Sequence, residues 1–245
     1  MQYEKGEVVA LSASAYSGYT FEGWESNGEI ISTQPTHFEV TMDANKTITA
    51  KFTALLFGIE KGTVVYDETS ISHDGYDYLH VPSTTIITLV FDNYGRRYRR
   101  STEMAHGYPN TYIHDAIAKK SYEVSHYSQT YVERDYTDFF DITGSRYLYL
   151  GDDGWQSNAA YTQLENKTIA GKECTVFFRD DGTAYDNVKV TNEYAGWNRI
   201  LFLWHNIHVG TRGFTKLEVI DFSEEIEDPE NIFLPPPGYE KVTSF

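Results

Sequence analysis

The chain reads almost throughout as short runs in which apolar and polar positions alternate. Phe38, Val40 and Met42 alternate with polar neighbours, and Ile48, Ala50 and Phe52 alternate with Thr47, Thr49 and Lys51. Glu7, Val9, Leu11 and Ala13 line one side of an opening strand. Cys174, Val176 and Phe178 alternate with Glu173, Thr175 and Phe177. A period of two is that of an extended segment with one face toward a core. The same reading predicts strands at Val64–Tyr66, Thr84–Asp92, Arg96–Arg100, Tyr112–Ile117, Ser121–His126, Thr130–Arg134 and Phe214–Phe222. A short helix over Asp115–Lys120 is the rival to strands there, because that segment holds good helix formers. Tyr136–Ile142 reads as one helical turn.

Turn residues punctuate these runs. Asn93-Tyr94-Gly95, Gly107–Asn110, Asp152-Asp153-Gly154 and Asp180-Asp181-Gly182 are predicted turns, since Asp-Gly and Asn tolerate the positive φ of a tight reversal. Ser70–His80 is polar and reads as a loop. The densest apolar run is Ile200–Leu203, followed by Trp204. Ile200, Phe202 and Trp204 fall on one side; Leu201, Leu203 and Ile207 fall on the other. A strand apolar on both sides must have both covered. One cover is the domain's own core, and the other is the first unit, a helix, or an apolar ligand in the concave face. If a ligand is held, Trp197, Phe202 and Trp204 are its expected contacts, with Trp155 at the rim. The run Lys167–Phe178 is expected to answer the closing segment Asn231–Val242, whose three prolines must be extended.

Residues 6–52 carry a recognisable order of motifs: GEVVALSA, then SGYTFEGW, then HFEVTMDANKTITAKF. This order resembles the internalin-type B-repeat of bacterial surface proteins, a small β-grasp-like module. The resemblance implies a spacer or adhesive unit over 1–53 that lacks the first strand of the family. From about Ala54 onward, IAGKEC, the Asp-Gly pair, GWNRILFLW, LEVIDFSE and the closing FLPPPGYEKV resemble the LolA-like lipoprotein-carrier superfamily. TTIITLVFDNYGRRYRR resembles an early strand pair of the same group. The likeness implies a curved antiparallel sheet, or half-barrel, over 54–245 with few short helices. Carriers of that superfamily close the hollow with helices. No long amphipathic helix is visible here, so the lid is short or absent. Thr53–Phe57 carries no Pro/Ser-rich linker, so the two parts are expected to abut.

Composition agrees with a β-rich chain: 16% of residues are aromatic, 20 of them Tyr. The formal charge of −16 repels nucleic acid and anionic membrane surfaces, which are discounted as partners. One cysteine, Cys174, excludes an intrachain disulfide and reads as a small buried hydrophobe. No secretory leader and no apolar run of membrane-spanning length is visible. Met1 opens almost directly onto a strand and reads as an artificial start after removal of a leader.

Catalytic and cofactor motifs are missing. There is no Gly-x-Ser-x-Gly elbow, no His-Glu-x-x-His and no phosphate-binding glycine loop, so no cofactor is implied. His205 and His208 sit three apart on a strand and face opposite ways, which argues against a shared metal. Carboxylates are abundant, but nothing picks out a pair at glycosidase spacing. A glycan hydrolase is therefore the weakest reading. Arg96, Arg97, Arg99 and Arg100 form the densest basic cluster. They read as an edge strand whose charges discourage sheet pairing, or as contacts to an anionic partner such as a sulfated glycan.

The sequence therefore predicts a mainly β, non-enzymatic, extracytoplasmic protein. Either it holds a lipid-like ligand in the half-barrel, or the half-barrel is a filled scaffold of a surface adhesion or spacer protein with a protein or glycan partner.

Overall fold

The computed structural model describes residues 3–15, 19–71, 82–104, 107–135, 160–183, 188–209 and 213–245. The chain divides into two compact units, Met1–Leu56 and Phe57–Phe245. The protein is mainly β. Among the described residues the sole helical element is one 3-10 turn, Asn93–Gly95.

In the first unit, β1 (Val8–Leu11) pairs antiparallel with β4 (Phe38–Thr41). A second sheet has the order β3-β2-β5, from β3 (Glu29–Ser32), β2 (Tyr19–Ser26) and β5 (Thr49–Ala54). The small core is aromatic. Trp24 is buried, stacks on Phe38 at 6.2 Å and meets Phe21 edge-on at 5.5 Å. Its indole N–H donates to the Gln34 carbonyl at 2.9 Å, so the ring's polar edge is satisfied. Gly23 precedes it because nothing larger fits: a Cβ there would lie 2.6 Å from Ile30 Cγ2 and 2.7 Å from the Ser32 oxygen. A bulge in β2 between Phe21 and Gly23 shifts its register against β5. Phe52, expected inside, is 38% exposed and meets Phe21 edge-on at 5.6 Å.

The second unit is one sheet of 13 strands. Its central hairpins are β6 (Gly62–Ile71), β7 (Ser83–Asp92), β8 (Arg97–Met104), β9 (Asn110–Asp115), β10 (Lys120–Ser125) and β11 (Thr130–Asp135). The later strands are β12 (Tyr161–Gln163), β13 (Lys167–Ile169), β14 (Lys172–Thr183), β15 (Lys189–Trp197), β16 (Ile200–Val209), β17 (Phe214–Ser223) and β18 (Glu240–Val242). The order is β12-β14-β15-β16-β17-β6-β7-β8-β9-β10-β11-β18, with β13 alongside β14. The sheet curves without closing, because β12 and β18 at its two ends do not pair. Among the described residues all pairings are antiparallel except β11 with β18, which is parallel.

The alternation seen in the sequence places the core. Val64, Tyr66, Ile87, Leu89, Phe91, Leu217 and Val219 share one face through their registers and are at most 3% exposed. Burial of this apolar area is the main favourable term in the unit's stability. The opposite face of β7–β10 holds Val90, Ile113 and Val124. The strand reading of the Asp115–Lys120 region holds, with a turn at residues 116–119 between β9 and β10.

Three sequence expectations are corrected. Asp180-Asp181-Gly182 is not a hairpin turn. Strand β14 runs through it to Thr183, with a bulge between Asp180 and Gly182. Gly182, at φ +73°, supplies the left-handed residue that such a bulge needs, the same freedom a turn uses. The reversal that the sequence did not mark is Asn198-Arg199, two residues at positive φ joining β15 to β16. Ser70 and Ile71, assigned to a loop, belong to β6. Residues 72–81, 136–142 and 152–154, for which a loop, a helical turn and a turn were expected, lie outside the described residues.

The closing segment is the third correction. It does not answer Lys167–Phe178. Phe233, 2% exposed, seats on Val90, Ile113 and Val124, flanked by Tyr122, Tyr131, Ile226, Ile232 and Tyr239. Pairing of Glu240–Val242 with β11 then fixes its end. The alternation rule reads only a strand's own faces and is blind to which distant segment covers them.

Candidate functional site

Two groups of side chains on the large sheet combine aromatic rings with polar groups. The first contains the sequence-predicted contacts. Trp197 meets Phe202 edge-on at 6.1 Å and Phe222 at 5.4 Å. Lys172 caps the cluster, its Nζ 4.3 Å from the Trp197 ring centre, a cation–π contact. Phe202 is fully buried, as are Ile200, Leu201 and Leu203 to within 6%. Both sides of this run are therefore covered. Trp197 and Trp204 are only half-buried. Trp155 lies outside the described residues. Trp204 does not join the Trp197 cluster; it belongs to the second group.

That second group is a polar row across four strands. Tyr161 of β12 is in register with Arg179 of β14, Arg179 with Asn192 of β15, and Asn192 with Asn206 of β16. One step along the same face, Phe177, Tyr194 and Trp204 are in register. Asn192 is 3% exposed and makes three side-chain hydrogen bonds. Its amide nitrogen donates to Asp181 Oδ2 at 2.6 Å. Its oxygen accepts from the Trp204 indole N–H at 2.9 Å and from the Asn206 amide at 2.9 Å. Arg179 pairs with both Asp181 oxygens and donates to the Tyr161 hydroxyl at 2.7 Å. The Arg179 guanidinium also lies 5.2 Å over the Tyr161 ring. The Asp181 hydrogen bond holds Arg179 above the ordinary arginine range. Burial pushes the Tyr194 phenol up. Both members of the ion pair keep about a third of their side-chain surface open, at 33% and 31%.

Sequence reading missed this row. Cross-strand register cannot be read from one strand at a time, and the turn assigned to Asp180–Gly182 removed Asp181 from the sheet. The signal that could have found it is the polar run at Asn192, where alternation puts an amide on an otherwise apolar face.

The arginine cluster is divided by the sheet. Strand β8 lies between β7 and β9, so it is not an edge strand. Arg97 pairs with Asp92, Nε to Oδ1 at 2.8 Å, and stacks 4.8 Å over Phe233. Arg99 donates to Ser101 at 3.2 Å and to the Ile232 carbonyl at 3.4 Å, and burial lowers its pKa. Both face the closing segment. Arg100, on the other face, lies 5.1 Å over Tyr112. Arg96 precedes the strand and is half-buried. The four charges therefore do not form one patch. His205 is shifted down by burial and by Lys216. No group of three or more His, Cys, Asp or Glu able to hold a metal occurs among the described residues.

Against known proteins, residues 1–55 match the family model described as the divergent InlB B-repeat domain. No curated protein matches the chain. Several solved structures are similar at low scores. An uncharacterized conserved protein from Thermus thermophilus aligns over 76% of this chain and 91% of its own, at 7% identity and a TM-score of 0.42. MucB in the Pseudomonas aeruginosa MucA/MucB complex aligns over 75% of this chain and 58% of its own, at 10% identity and a TM-score of 0.42. A putative outer membrane lipoprotein-sorting protein domain from Vibrio parahaemolyticus aligns over 71% and 89%, at 9% identity and a TM-score of 0.21. Likenesses this distant say nothing about activity or ligand.

Proposed function

We propose that this is a non-enzymatic, extracytoplasmic binding protein of the adhesion or spacer kind. In this reading residues 1–53 are a B-repeat-type module and residues 54–245 a rigid β platform. The observation that carries it is the sealing of Ile200–Leu203: the run that invites an apolar ligand is already covered on both sides, with Phe202 fully buried. The B-repeat match at residues 1–55 supports a surface setting. A platform filled by its own side chains needs no cargo to stay folded and is free to present its surface.

A second reading is favoured by one observation. Trp197 and Trp204 remain half-exposed on either side of Phe202, as residues contacting a lipid-like ligand would. Native mass spectrometry of the purified protein separates the two. The platform reading expects the bare chain mass and no saturable quenching of tryptophan by a fluorescent fatty acid. A co-purifying lipid mass, or saturable quenching at micromolar probe, overturns it in favour of carriage.

A further inference from the structure

We propose that the polar row Tyr161, Arg179, Asn192 and Asn206, with Trp204 and Tyr194, is a binding site for a neutral saccharide. The proposal rests on the non-catalytic binding reading above and names a ligand class for a face to which nothing else assigns one.

The row has the two kinds of group that a sugar ring requires. Aromatic rings with a polar edge offer an apolar face for sugar C–H groups. Planar amide, carboxylate and guanidinium groups offer fixed donors and acceptors to vicinal hydroxyls. Here they stand in register on adjacent strands, so their spacing is set by the sheet. Their orientation is set in advance as well. Asn192 is locked by Asp181, Trp204 and Asn206, and Arg179 by Asp181 and Tyr161. A site held by its own hydrogen bonds loses little freedom when a ligand arrives.

The surroundings make a purely packing role costly. Phe177 and Leu217 on the same face are at most 1% exposed, so an apolar row would have continued the core. Instead the sheet places an ion pair and two amides there, and keeps the ion pair about one-third open. Partly buried networks of this kind are expensive unless fully satisfied. Here the buried Arg179 Nε lies against Asp181 without completing a hydrogen bond, and the ion pair stays partly open to water, so the row is suited to exchanging water for hydroxyl groups.

Charge decides between neutral and anionic sugars. Asp181 neutralises Arg179 on both oxygens, so the row presents no net positive charge. The chain as a whole carries −16. A polyanionic glycan would be repelled at long range and would find no free cation in the row.

The test uses the full chain in isothermal titration against maltotriose, cellotriose, chitotriose and lactose, with a heparin-derived oligosaccharide as the charged contrast. Saturable binding to at least one neutral sugar, and none to heparin, is expected. Tyr161 and Asn206 are half-buried, so Tyr161→Ala and Asn206→Ala should keep the native circular dichroism spectrum while weakening binding about tenfold or more. Asn192→Asp adds a charge beside Asp181 and should abolish binding. No binding to any neutral sugar overturns the proposal. So does binding to heparin alone, or neutral-sugar affinity unchanged in both alanine variants. None of these outcomes touches the platform reading, which only a bound lipid overturns.

Discussion

Phe233 is the sharpest place to test how the large sheet is covered. Its ring is 2% exposed, seated on Val90, Ile113 and Val124, with Arg97 stacked at 4.8 Å. Phe233→Ala deletes that ring and leaves a hole bounded by strands that cannot collapse into it. Core Phe→Ala changes cost about 3–5 kcal/mol. The lost cation–π contact adds roughly 0.5–1 kcal/mol. For a unit of this size each kcal/mol moves the melting temperature by about 2–4 °C, so a fall of about 7–24 °C follows. Urea unfolding followed by circular dichroism measures it, with the midpoint lowered and the slope unchanged. Limited proteolysis supplies the second readout, because a loosened closing segment would be cut near Pro235–Gly238. A loss below about 1 kcal/mol, in a variant whose closing segment resists protease like the parent, would refute the idea that this residue completes the core.

Two further outcomes are expected. His126 accepts or donates hydrogen bonds to Thr111 at 2.9 Å and Tyr239 at 3.0 Å, and burial, then Arg99, lowers its pKa below 6.5. The unfolded chain therefore binds this proton more readily than the folded one. Stability is full above about pH 6.5 and falls as pH drops through the folded-state pKa, a slope that His126→Gln should flatten in urea titrations across pH 5–7.5. Cys174 is fully buried and its thiol is pushed up to about 11, so it should ignore a disulfide reagent at pH 8 in the native protein and react once unfolded; stoichiometric native labelling would contradict that burial.

How much of this could be read from residues alone depends on range. The strand Thr84–Asp92 emerges almost unchanged as β7, and Thr130–Arg134 as β11, because alternation is local and each strand displays its own period. The sealed run Ile200–Leu203 was legible for the same reason: only a doubly covered strand tolerates four consecutive apolar residues. Whatever depended on register was not legible. Arg97 and Arg100 look like neighbours in one basic cluster, yet the pleat sends them to opposite faces. Asp181 looked like a turn residue because Asp-Gly serves turns and bulges equally well. The partner of Phe233 was hidden because Ile113 and Val124 lie far away in the chain.

That separation has a consequence for how the protein comes into being. His126 and Tyr239, which clasp each other across the covered face, are 113 residues apart. A ribosome working from the N-terminus finishes the greasy side of β7–β10 long before it supplies the segment that hides it. Closing so long a loop is slow, and an uncovered apolar surface meanwhile invites the wrong company. The nascent polypeptide thus passes through a period of stickiness, which makes it a natural client for a holding chaperone during synthesis.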